Sequence, residues 1–165
     1  MIRFIRLEFP YTQHPMSLST AICYFRSAVV VRPQVPNGIL IADDSGLFRK
    51  AVRSYLAQHN FEVCGEAIDG NDVLEKASEL QPSLVLLDLR MPHMNGAEVA
   101  SLLRARMPTV RIVLLTMYDE VLSYKSLMTA IGIDALLPKP DCFNSLAECV
   151  QRLLDSPQVL PENES

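Results

Sequence analysis

The chain has 165 residues, 49% of them apolar and 21% charged, which is enough for one ordinary domain and its core but too little for two full-sized domains and a linker. Four arginines against one Glu make residues 1–36 basic, and the rest carries the acid behind a net charge of −4, which argues against a nucleic-acid-binding body. Four cysteines without C-x-x-C spacing and three scattered histidines argue against a zinc site or a disulfide framework, and no apolar run reaches the ~18 residues of a membrane span.

Residues 1–36 show no dependable periodicity and carry prolines at 10, 15, 33 and 36. They read as an extension outside the domain, either disordered or untranslated, with the true start near Val31 or Val35. Arg3 and Arg6 are followed by Glu8 and Pro10 rather than by an apolar stretch, so a cleavable signal peptide is not expected.

From residue 38 short apolar runs alternate with amphipathic stretches. The runs are Gly38–Ala42, Phe61–Ala67, Leu84–Leu87, Val110–Leu115 and Ile133–Leu137, and their length suits strands of a parallel sheet buried on both faces. Helical spacing links Leu47, Phe48, Ala51, Val52, Tyr55 and Leu56, and again Phe143, Leu146, Ala147, Val150, Leu153 and Leu154. Asp69-Gly70-Asn71 and Asn95-Gly96 mark helix starts, and Ser145 with Glu148 has the spacing of a capping box. Cys142 and Cys149 read as reduced cysteines beside the last apolar stripe. Five strands, each followed by a helix, predict an open α/β doubly wound sheet over residues 37–157, with 158–165 as a tail.

In such a sheet ligands bind beyond the carboxyl ends of the strands. The first run ends in Asp43-Asp44, the third in Asp88, the fourth in Thr116, and the fifth is followed by Lys139-Pro140. Taken singly, each has a plainer reading: Asp44 or Ser45 as a helix cap, Thr116 or Lys139 as solvated surface. Together they predict three carboxylates, a hydroxyl and an ammonium in one pocket. Like charges so gathered need a cation, and an oxygen-only donor set specifies a hard one such as magnesium.

Four motifs carry a resemblance: Ile39-Leu-Ile-Ala-Asp-Asp44, Leu84-Val-Leu-Leu-Asp-Leu-Arg-Met-Pro-His-Met-Asn-Gly96, Leu114-Leu-Thr-Met-Tyr-Asp119 and Leu136-Leu-Pro-Lys-Pro140. In their order and spacing, residues 37–157 resemble the receiver domain of bacterial two-component response regulators. The resemblance implies a flavodoxin-like (βα)5 fold with strand order 2-1-3-4-5. It implies Asp88 as the phosphorylated nucleophile and a magnesium site formed by Asp43, Asp44, Asp88 and the carbonyl of Arg90. Thr116 and Lys139 would contact the phosphoryl group, with Lys139-Pro140 a cis peptide. The implied partner is a histidine kinase or phosphotransfer protein. The chain then reads as a stand-alone, cytoplasmic signalling receiver rather than an enzyme, monomeric or dimerising on phosphorylation, without direct contact to nucleic acid or membrane.

Three positions depart from the family pattern. Leu136 stands where Tyr or Phe usually swings inward as Thr116 moves, which puts in question signalling through the face of the fourth helix, fifth strand and fifth helix, though not phosphorylation. Met117 follows the switch threonine and either restricts water or packs outward. Pro138 stiffens the loop before Lys139. Two rival functions are a magnesium-dependent aspartyl phosphatase, which needs an Asp where Arg90 stands, and a degenerate receiver that only docks partners.

Overall fold

The computed structural model describes residues 38–117 and 129–156; the expectations for residues 1–36 and 158–165 lie outside this range. Five strands form one parallel sheet: β1 Ile39–Ala42, β2 Val63–Ala67, β3 Leu84–Asp88, β4 Arg111–Thr116 and β5 Ala135–Pro138. Their order is β2-β1-β3-β4-β5, as the resemblance implies. Among the described residues four α-helices accompany them: α1 Gly46–Gln58, α2 Gly70–Leu80, α3 Gly96–Arg106 and α4 Leu146–Asp155. Of the helix expected between β4 and β5, the described part is residues 129–131, and these are helical.

The pleat sorts each strand's side chains between two apolar layers. Leu40, Ala42, Val85, Leu87, Ile112 and Leu114 pack with Val73, Ala77, Val99 and Leu103 of α2 and α3. Ile39, Ile41, Leu84, Leu86, Val113 and Leu115 pack with Val52 and Leu56 of α1 and with Leu146, Val150 and Leu153 of α4. A strand apolar on every residue is what this two-sided burial requires, and β1 is fully buried along its length.

Caps explain where helices begin. The side chains of Ser45 and Asp69 accept from the amides of Phe48 and Asp72, and Asn95 forms a reciprocal box with Glu98. The box expected at Ser145 and Glu148 is not made. A 3-10 turn over Lys139–Asn144 runs straight into α4, and Ser145, with ψ of −5°, lacks the extended backbone an N-cap needs. The same turn takes in Phe143, expected in the helix, and buries Cys142; Cys142 and Cys149 are free thiols of the α1/α4 layer. No helix among the described residues is long and apolar enough to cross a membrane.

Leu86 is fully buried in the middle strand. Leu86→Ala is expected to cost about 2–5 kcal/mol, read as a lower urea midpoint at unchanged slope.

Candidate functional site

The site grows out of strand register. β1 and β3 are neighbours, with Ala42 level with Leu87, so the residues that follow, Asp43 and Asp88, emerge side by side. Asp88 has the parity of Leu84 and Leu86 and therefore faces the α1 side. Asp43 and Asp88 are 0% and 3% exposed, whereas Asp44 is open to solvent. One carboxylate oxygen from each of Asp43, Asp44 and Asp88 lies within 4.8 Å of the others.

Lys139 enters this cluster from the start of the 3-10 turn. Its Nζ lies 2.7 Å from Asp43 Oδ2 and 2.8 Å from Asp88 Oδ2, and 4.9 Å from the centre of the Phe48 ring. The Lys139–Pro140 bond is trans, contrary to the family expectation, since the described chain contains no cis peptide. Pro140 takes a place in the first turn of the 3-10 segment, where its fixed φ fits and its missing donor costs nothing. Two ion pairs hold the lysine's ammonium in the cluster.

Thr116 ends β4, buried at 1% exposure, and Leu115 before it is level with Asp88. The pleat gives Thr116 the parity of Leu114, toward the α2/α3 layer. Met117 beyond it is 46% exposed, the outward of its two expected placements. Leu136 is half-buried against the α2/α3 layer. The sequence-derived residues Asp43, Asp44, Asp88 and Lys139 thus meet directly, and Thr116 closes the neighbouring strand end.

The loop after β3 is held to the site by close backbone approach. Gly96 donates to Leu89 O at 2.8 Å, and a Cβ on Gly96 would sit 2.3 Å from Asp88 O, so only glycine lets α3 begin so near the acid. The exposed Arg90 contributes its amide, which hydrogen-bonds the Asp88 carboxylate. Two supports were not read from the sequence. Arg49 donates to the Asp43 carbonyl at 2.7 Å while pairing with Glu66 at 3.1 Å. Glu66 also binds Arg53, and these contacts, Arg53 first, hold its carboxyl below the usual range. Arg49 and Arg53 are four apart on α1, which marks a shared helix face, but only the fold brings β2 beneath it.

Burial pushes the Asp88 carboxyl up from its ordinary range; Lys139 opposes this, the Asp43 charge adds to it, and the Arg90 amide opposes it again. Lys139 is raised as well: burial alone would lower it, but Asp43 and Asp88 together prevail. Asp43 Oδ1 accepts from Ser45 N at 2.8 Å. Its buried Oδ2 lies 2.7 Å from Lys139 Nζ. Three carboxylates against one ammonium, offering only oxygen donors, fit a hard divalent cation.

Fold and site together define a doubly wound module with an acid cluster and a lysine at the carboxyl ends of its strands. The model of the response regulator receiver domain matches residues 39–151, and the chain belongs to that family, the receiver module of two-component systems. The chain is similar to the response regulator protein VraR of Staphylococcus saprophyticus, 33% identical over 76% of this chain and 60% of that protein. It is also similar to VraR of Staphylococcus epidermidis, 32% identical over 73% of this chain and 58% of that protein. The chain thus spans somewhat under two thirds of these relatives. Among solved structures, the REC domain of AraT, a response regulator from Geobacillus stearothermophilus, superposes with a TM-score of 0.66 at 31% identity, over 73% of this chain and 94% of that one.

A carboxyl whose pKa rises on folding binds its proton more tightly in the native state. Stability therefore falls as pH climbs from the ordinary Asp range through the raised value, and the penalty is complete above it. Asp88→Asn removes that penalty. In EDTA at neutral pH it is expected to be at least as stable as the parent in urea, with the difference shrinking as pH falls into the Asp range; a less stable variant at neutral pH contradicts this electrostatic account.

Proposed function

We propose that this chain is the phosphoacceptor of a two-component relay, taking its phosphoryl group onto Asp88 from a phosphohistidine of a histidine kinase or phosphotransfer protein in the cytoplasm. The observation that carries the reading is the pair of contacts from Lys139 Nζ to Asp43 and Asp88, because a nucleophile and its charge partner are in place before any donor arrives. A carboxylate oxygen of Asp88 forms the new bond to phosphorus as the phosphorus–nitrogen bond breaks. The electron pair of that bond stays with the imidazole nitrogen, which takes up a proton. Asp88 becomes an acyl phosphate, and Lys139 exchanges its contact with the Asp88 oxygen for one with a phosphoryl oxygen. Thr116, at the end of the adjacent strand, supplies a hydroxyl to the same group. A magnesium ion would be held by Asp43, Asp44, Asp88 and the Arg90 carbonyl, and bound there it would neutralise charge on the phosphoryl oxygens.

The phosphatase alternative wants a general acid two residues after the nucleophile, and the exposed Arg90 occupies that position. A docking-only receiver has no use for a lysine placed between two buried carboxylates. For output, the packing of Leu136 against the α2/α3 layer supports a signal that does not depend on a rotating side chain there, carried instead by changed affinity for another protein.

With magnesium and acetyl phosphate the parent is expected to gain one acid-stable, base-labile phosphoryl group, seen by intact-protein mass spectrometry. Asp88→Asn and Asp44→Ala gain none, EDTA prevents labelling of the parent, and Lys139→Ala labels on the order of a hundredfold more slowly. Undiminished label in Asp88→Asn, or labelling in EDTA, rules out the nucleophile or the metal.

A further inference from the structure

Lys139 opens the turn that leads into α4. The 3-10 turn Lys139–Asn144 has no side-chain cap, and Pro140 within it offers no backbone donor. One of its ties to the rest of the domain comes from α1. The Tyr55 hydroxyl donates to the Phe143 carbonyl at 2.6 Å, across 88 residues of sequence. The Tyr55 ring stands 5.1 Å from that of Phe143, and Phe143 is 6.1 Å from Phe48. Phe48 in turn places its ring 4.9 Å below Lys139 Nζ.

From this juxtaposition we infer that Phe48 and Tyr55 of α1 are positioning residues for phosphoryl acceptance, Phe48 by holding the Lys139 ammonium over its π face and Tyr55 by anchoring the turn from which the lysine springs. The inference rests on the proposed role of Asp88 and adds two residues that touch no reacting atom. A lysine has a flexible four-carbon stem and a strongly hydrated head, so two carboxylates alone leave it many rotamers from which to reach them. An aromatic face beside the ammonium excludes some of those while still attracting the cation. It also tolerates movement: as Lys139 shifts from Asp88 Oδ2 to a phosphoryl oxygen, the ring continues to face the ammonium, which a directional hydrogen bond would not allow. In the sequence both residues belong to the apolar stripe of α1, but Phe48 and Tyr55 are only half-buried, unlike Val52 and Leu56 of the same helix.

The test uses the full chain with Phe48→Leu, Phe48→Tyr and Tyr55→Phe. In metal-free protein, the Lys139 CεH2 resonances of the parent are expected to be displaced by the ring current, to return toward those of a free lysine in Phe48→Leu, and to stay displaced in Phe48→Tyr. With magnesium and saturating acetyl phosphate, labelling of Asp88 should slow about threefold to tenfold in Phe48→Leu and in Tyr55→Phe, with half-saturating donor concentration unchanged and the rate recovered in Phe48→Tyr. Lys139 resonances in Phe48→Leu identical to the parent's, or parental labelling rates in both Phe48→Leu and Tyr55→Phe, overturn the inference. If the parent takes no phosphoryl group although the resonances respond as expected, the positioning stands and it is the proposed function that fails.

Discussion

The structure depends on one electrostatic constraint: Asp43 and Asp88 are carboxylates buried side by side, and the cation facing both belongs to a different strand end. Neither acid tolerates such burial as an ion unless a positive charge accompanies it. Adjacent strands lie ~4.8 Å apart, so β5 is about two such spacings from β3, and the lysine must cross the end of β4 to reach Asp88. That crossing puts the ammonium beside the strand end where Thr116 stands. The five-stranded order thus sets the distance that a lysine stem can span.

The same constraint leaves a charge deficit. One ammonium does not balance Asp43, Asp44 and Asp88, and the exposure of Asp44 leaves the cluster open on one side. An arrangement left negative and open toward solvent is suited to a transient partner carrying both a cation and a phosphoryl group. Close contacts support it. Arg49 braces the Asp43 carbonyl, and Gly96 lets α3 start against the backbone of Asp88.

The fold was legible because its signals are local. Strands buried on both faces are apolar at nearly every position, as in Leu84–Leu87, and helix starts at Asp69 and Asn95 announce themselves by side chains that cap. The site was legible for a related reason: in a parallel sheet the acid or lysine follows the apolar run directly, so Asp43, Asp88 and Lys139 could be located without knowing any contact. What escaped was set by tertiary packing. The spacing of Ser145 and Glu148 suits a capping box, but the 3-10 turn delivers Ser145 in the wrong backbone conformation. Lys139-Pro140 permits either isomer, and nothing local in the sequence indicates the trans form. The reach of Tyr55 to Phe143 joins residues 88 apart and has no signature short of the fold itself.

Lys139 offsets part of the charge of two buried carboxylates, and the charge that remains calls for a metal. Urea unfolding of Lys139→Met, with and without magnesium, measures this. The expected result is a loss of about 3–5 kcal/mol in EDTA, as buried charge goes uncompensated, and recovery of much of it as magnesium is added. A Lys139→Met protein as stable as the parent in EDTA, and indifferent to magnesium, contradicts the account.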